Sequence, residues 1–196
     1  MVGSAQTPFG STTDFQPFLT GIQGSGARAT FCFYSGAEAI SFVQQYARFG
    51  LAESIPLYGS GFLTEGNVLP QQGDAAVGVQ NTLHYSDQLD IPANKAFVDA
   101  YTTAHGEAPS CFSMATFDAA NVLNRALGSA TALDGDALSA ALGGIGTVDD
   151  SPRGPWTFEN QTPRQNVYLR EVQDIGGTLV NAVVEDLGPQ SQPAAV

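Results

Sequence analysis

Two short segments carry the residues best suited to meet a small molecule: Tyr34-Ser35-Gly36 and Tyr58-Gly59-Ser60-Gly61-Phe62-Leu63. Each combines a hydroxyl, glycine that lets a ligand approach the backbone, and an aromatic ring. Each also follows a β-rich apolar run, Ala29 to Tyr34 in one case and Ile55 to Tyr58 in the other. In an open α/β sheet, helix N-termini and free backbone N–H groups gather at the carboxyl ends of the strands. The chemistry on offer is therefore hydrogen bonding and aromatic packing around a ligand. Tight turns and helix caps are the plainer explanation of the same residues. Phe112, just before Ser113 and Met114 at the head of a helix, offers a further aromatic surface, with core packing as its plainer role.

Covalent chemistry finds little support. Ser60 lies between glycines, but the nucleophile elbow G-x-S-x-G needs glycines at 58 and 62, where Tyr58 and Phe62 stand. The two histidines, His84 in or beside a strand and His105 at a helix end, have the positions of packing or surface residues. There is no H-E-x-x-H, no C-x-x-C and no histidine pair at helical spacing, so no metal site is expected. A P-loop and G-x-G-x-x-G are also missing, and no cofactor is expected. With no nucleophile set beside a base, the chain reads as a binder and not an enzyme.

The elements that must position these segments follow from periodicity. Phe15, Phe18, Leu19 and Ile22 fall on one helical stripe, for which Thr13 is the expected N-cap. A second helix follows Ser35-Gly36, with Ile40, Val43 and Ala47 inward and Gly50 at its close. The first 65 or so residues thus read helix, strand, helix, strand with short loops, the rhythm of a doubly wound parallel sheet in an α/β fold. A third strand is expected from Gly78 to Tyr85, then helices from Asp90-Ile91-Pro92, over Phe112 to Gly128, and over Asp134 to Leu142 capped by Asp134 or Asp136. Past Gly146 comes a rigid Ser151-Pro152-Arg153-Gly154-Pro155 loop, and then β runs at Asn166–Val172 and Thr178–Val184. The turn signal Asp174-Ile175-Gly176-Gly177 joins the two runs as a hairpin. The tail 188–196, with two prolines and two glutamines, is expected to be disordered.

Composition excludes several partners. A net charge of −12 with Lys95 as the single lysine leaves no cationic cluster for nucleic acid, and anionic lipid would repel such a surface. No apolar run approaches the ~20 residues that span a bilayer, and the N-terminus shows no cationic start or apolar core of a secretion leader. Hydrophobic residues at 43% suffice for a proper core. Cys32, inside an apolar strand, reads as a small buried hydrophobe in preference to a disulfide partner of Cys111.

Several stretches, in this order and spacing over residues 8–175, resemble the type I periplasmic binding proteins of the branched-chain amino-acid (leucine-binding protein-like) family. They are Gly10-Ser11-Thr12-Thr13-Asp14-Phe15, Phe33-Tyr34-Ser35-Gly36 and Pro56-Leu57-Tyr58-Gly59-Ser60-Gly61, then Gln72 to Gly78, Asn94-Lys95-Ala96-Phe97, Phe117-Asp118-Ala119-Ala120 and Ser151-Pro152-Arg153-Gly154. The resemblance implies a clamshell in which two α/β lobes close on a solute and the closed form docks on an ABC transporter permease outside the cytoplasm. It implies that residues 1–85 belong to the second lobe, that 86–160 return to an incomplete first lobe, and that a hairpin at 161–187 rejoins the second. The family's opening segment has no counterpart here, so the chain resembles the C-terminal part, with any leader upstream.

Ligand contacts are expected from Tyr34, Ser35, Gly36, Ala37, Tyr58, Gly59, Ser60, Gly61, Phe62 and Phe112. Amino-acid binders of the family hold the ligand ammonium with a tyrosine and a glutamate at the positions occupied by Ala37 and Gly61. Neither of those can pair with a buried cation, so a ligand without an ammonium group is expected. Relatives with a similar Leu-Tyr-Gly-Ser-Gly-Phe-Leu loop are associated with aromatic carboxylates, which the ring-lined segments suit. The alternatives are a ligand-sensing module of the same fold in a receptor or regulator, a non-functional fragment with exposed apolar faces, and, more distantly, a hydrolase using Ser60.

Overall fold

Helix α1 (Gln16–Gly24) begins two residues later than a Thr13 cap would place it, because Pro17 fits the first turn, where its missing N–H costs nothing. Asp14 Oδ1 accepts from the Gln16 N–H at 2.9 Å, and Gln45 takes the Phe15 N–H and donates to the Thr13 carbonyl, each at 2.9 Å. The apolar stripe is as expected: Phe15 and Leu19 are fully buried, with Phe18 and Ile22 packed on the same core. These and all later positions come from a computed structural model, which describes residues 1–8 and 10–193.

Strand β1 (Thr30–Cys32), helix α2 (Gly36–Arg48) and strand β2 (Leu57–Ser60) follow, then a short helix α3 (Val68–Gln72) and strand β3 (Gln80–Leu83). The three strands pair in parallel, with Phe31 opposite Tyr58, Cys32 opposite Gly59, and Ser60 opposite Thr82. The expected α/β fold with a parallel first section is therefore present, within a mixed sheet. Gly59 and Ser60, expected in a loop, are instead the last two residues of β2. The core lies on one face, where Phe42, Val43 and Tyr46 of α2 meet Leu57 and Leu63. The opposite face leaves Phe31 71% exposed beside exposed Tyr58 and Thr82.

The remaining helices are α4 (Pro92–His105), α5 (Cys111–Ser129) and α6 (Gly135–Gly143). Pro92 opens α4 and Gly106, at φ 75°, ends it. Ser110 and Ser113 exchange hydrogen bonds as a capping box for α5, and Asp134 caps α6 by accepting from Ala137 N at 2.8 Å. Strands β4 (Trp156–Glu159) and β5 (Thr162–Ile175) form an antiparallel hairpin turned by Asn160 and Gln161, both at positive φ. Strand β6 (Thr178–Gln190) pairs with β5 across the glycine turn foreseen at 174–177, where Asp174 Oδ1 accepts from Gly177 N at 2.7 Å. It runs on through Gly188 to Gln190, three residues into the stretch expected to be disordered; residues 194–196 lie outside the described residues.

The chain divides into two compact units, one of residues 1–83 and 169–184, the other of 84–168 and 185–196. Cys32 and Cys111 are both buried, and neither is in a disulfide among the described residues. Among the described residues, no helix is long and apolar enough to cross a membrane.

Candidate functional site

Because β1 and β2 are adjacent and parallel, Tyr34-Ser35-Gly36 and Gly61-Phe62 leave the sheet at the same edge. Alternation fixes which side chains face out. Phe31, Phe33 and Ser35 are exposed, whereas Cys32 is buried and the Tyr34 ring turns to the core, 5.3 Å from Phe15 and 4.8 Å from Phe42 between centroids. Along β2, Leu57 and Gly59 are buried while Tyr58 is exposed and Ser60 half-buried. Ser35 and Ser60 therefore lie on the same outward side.

Neither hydroxyl is consumed by the turn. Ser35 precedes α2 in extended conformation but makes no side-chain cap. Gly36 adopts φ 56°, a backbone that favours glycine. Ser60 Oγ is shielded from solvent and has no hydrogen-bond partner among the described residues. The hydrogen-bonding capacity of this hydroxyl is thus unused by the described residues. The Phe62 ring stands edge-on to Phe33 at 6.5 Å, and Phe33 is 68% exposed. Phe33 was not among the expected contacts. The signal was available, since it alternates with Cys32 in the β run.

Tyr34 contributes less surface than its position in sequence implied. Its ring packs on the core and its hydroxyl shares a hydrogen bond with Thr7 Oγ1 at 3.2 Å, while burial raises its pKa. Ala37 sits exposed in the first turn of α2. Phe112, in the second unit, is 59% exposed in the first turn of α5. A hollow of about 380 Å³ on the outward sheet face takes in Tyr58 and Gly59 of the expected residues, together with Phe31 and Gln80, and none of the other expected ones.

The second loop has almost no freedom. A Cβ on Gly59 would come within 2.5 Å of Leu63 Cδ2, and one on Gly61 within 2.6 Å of Leu83 Cβ. An acidic side chain at position 61 therefore has no room. The acid that follows, Glu65, is buried and accepts from Arg170 Nη1 at 2.9 Å. Arg170 and Glu65 were missed in the sequence, although Arg170 shares a strand face with Tyr168 and Val172, both apolar, which signals a buried charge in need of a partner.

In the second unit the stretches Phe117-Asp118 and Ser151-Pro152-Arg153-Gly154 meet. Asp118 Oδ2 accepts from Ser151 Oγ at 2.7 Å and lies 2.9 Å from Arg153 Nε. Arg153 stacks on Trp156 at 4.3 Å, its pKa lowered by burial against the opposing pull of Asp118. Beside them lies a hollow of about 330 Å³ lined by Val122, Leu142 and Phe158.

The chain matches the family described as Periplasmic binding protein over residues 1–177. The chain belongs to that family. The Leu/Ile/Val-binding protein homolog 6 of Brucella melitensis is 34% identical over 190 residues, covering 93% of this chain and 48% of its own length. A solute-binding protein of an ABC transporter from R. palustris, solved in complex with 4-hydroxybenzoate, is 31% identical with a TM-score of 0.88, covering 97% of this chain and 53% of that one. Another from R. palustris, in complex with benzoate, is 32% identical with a TM-score of 0.80, covering 95% and 50%. The chain thus spans about half the length of the relatives it matches, and its fold is that of the type I periplasmic binding proteins.

Proposed function

We propose that this chain is part of an extracytoplasmic solute-binding protein serving an ABC importer, and that it contacts an aromatic carboxylate lacking an ammonium group at the carboxyl ends of β1 and β2. The observation that carries the proposal is Ser60 Oγ, buried without a partner among the described residues, on the same side as Ser35 and beside the Phe33–Phe62 pair. A ring stacked at these aromatics with an oxygen toward Ser60 satisfies both. The missing ammonium grip supports the ligand class, since Gly61 leaves no room for an acid and Glu65 is committed to Arg170. The benzoate-type ligands of the two R. palustris relatives support it as well.

In this reading the chain binds and does not catalyse, and Ser35, Gly36, Ala37, Tyr58, Gly59, Ser60, Gly61 and Phe62 form its share of the ligand surface. Phe112 is a proposed contact by family resemblance. The permease is reached through the whole protein. Titration calorimetry of the product of the complete gene with benzoate, 4-hydroxybenzoate and leucine tests this. Heat from the two aromatic acids and none from leucine is expected, and tight leucine binding overturns the ligand class.

Exposed Phe31, Tyr58, Phe117, Leu123 and Leu127 favour a second reading for the chain taken alone, as an association-prone fragment whose apolar faces need further polypeptide cover. A monomer with a sharp, reversible thermal transition overturns that reading.

A further inference from the structure

We infer that Arg170 is the positioning residue of the turn at Gly61–Thr64 that follows β2 and carries the proposed ligand surface, holding it from inside the core without touching ligand. The inference rests on the proposed location of the site at the end of β2.

Arg170 lies in β5 and is 1% exposed. Its guanidinium reaches three segments of the same unit. Nη1 donates to Glu65 Oε2 at 2.9 Å. Nε and Nη2 donate to Asn81 Oδ1 of β3 at 2.9 and 2.7 Å. Nη2 also reaches the Gly61 carbonyl at 3.4 Å. That carbonyl closes the loop's own turn by accepting from Thr64 N at 3.2 Å. The far side is tied down too: Asn81 Nδ2 donates to Thr64 Oγ1 at 3.0 Å, Thr64 Oγ1 donates to Asn181 Oδ1 at 2.6 Å, and Asn181 Nδ2 donates to the Thr64 carbonyl at 3.0 Å. Both ends of the Gly61–Glu65 segment are thus gripped by buried polar groups from β3, β5 and β6.

Such a network is an expensive way to hold a core together, since apolar side chains of equal volume fill the same space without desolvating two charges. What apolar packing cannot do is fix the direction of a particular carbonyl, whereas a planar guanidinium fork can. Pinning the Gly61 carbonyl inward fixes the Gly61–Phe62 peptide plane, and with it the direction in which the turn carries Phe62. Glu65 neutralises Arg170 where it stands, and donors on all three nitrogens of the guanidinium are engaged, so the arginine is set as an orienting group and not as the ligand's counter-ion.

The test uses the product of the complete gene carrying Arg170→Met with Glu65→Leu, which removes both charges at similar volume. Three measurements are made: the thermal transition, hydrogen exchange at Ser60 to Thr64 without ligand, and benzoate affinity. The expected result is a cooperative transition close to that of the wild type, faster exchange confined to the loop, and affinity weakened roughly tenfold, the scale at which groups once removed from a ligand contact act. If that variant does not fold, Arg170→Lys, which keeps a charge opposite Glu65 but loses the fork, is read in the same assays with the same expectation. Unchanged loop exchange, or faster exchange with full affinity, overturns the inference. A wild-type protein that binds no benzoate overturns the proposed ligand instead, and loop exchange still decides whether Arg170 restrains the turn.

Discussion

Cys32 and Gly59 stand opposite each other across the first two strands, and the space between them admits no side chain at position 59. A Cβ there would lie 3.2 Å from the Cys32 carbonyl oxygen as well as 2.5 Å from Leu63 Cδ2. The packing of Leu63 against the end of β2, in the tight turn that follows, therefore depends on a glycine at a position whose φ any residue could adopt. Gly59→Ala is expected to destabilise the chain by about 1–3 kcal/mol through overpacking, measured as a lowered urea midpoint at unchanged slope.

The ion pair inside the loop network gives an asymmetric prediction. Glu65→Leu alone strands the Arg170 guanidinium in the core and is expected to cost about 3–5 kcal/mol, whereas pairing it with Arg170→Met recovers most of that loss. A double-mutant cycle in urea measures the coupling. Two single losses that simply add would contradict the pairing seen at 2.9 Å.

Ser60→Ala removes a buried hydroxyl with no partner among the described residues, so stability should change by less than about 0.5 kcal/mol or rise slightly. Benzoate affinity in the product of the complete gene is expected to fall about tenfold, near 1.4 kcal/mol. Equal affinity in the variant would remove Ser60 from the ligand surface.

Phe31→Thr exchanges an exposed ring for a β-compatible hydroxyl at an exposed strand position. Stability of the chain should stay within about 0.5 kcal/mol, while self-association, followed by sedimentation velocity, decreases.

Burial pushes the Cys32 thiol from 9.0 up to about 12. Folding keeps this thiol protonated, so its contribution is intact below about pH 9 and falls as pH rises from about 9 toward about 12, where only the unfolded chain ionises. The measurable consequence is a Cys32 inert to a thiol reagent at pH 8 until denaturant is added, with alkaline destabilisation that Cys32→Ala reduces. Prompt labelling of the folded chain would contradict the burial.

Much of the fold was legible because it is written locally. The Phe15–Ile22 stripe, the Pro92 start of α4, the Asp134 cap and the Gly176-Gly177 turn each follow from a few neighbouring residues obeying a period or a backbone preference. The start of α1 was misplaced because Thr13 and Pro17 both signal a helix start, and the contact of Gln45 with the backbone at 13–15, some 30 residues away, favours the later one. The two glycine-and-hydroxyl segments were legible as a pair, but not that Gly59 and Ser60 complete a strand, nor that Tyr34 turns inward while Phe33 stays out.

What the sequence determined by itself was the set of elements, their α/β order and the presence of ring-lined, hydroxyl-bearing segments at strand ends. Those properties depend on residue type and short-range spacing. The tertiary structure alone decided that Arg170 meets Glu65, 105 residues away, and so holds Gly61, and that Ser60 is left without a partner among the described residues. Partnership across such separations is a property of the assembled sheet, because no local period encodes which buried charge a distant strand will present.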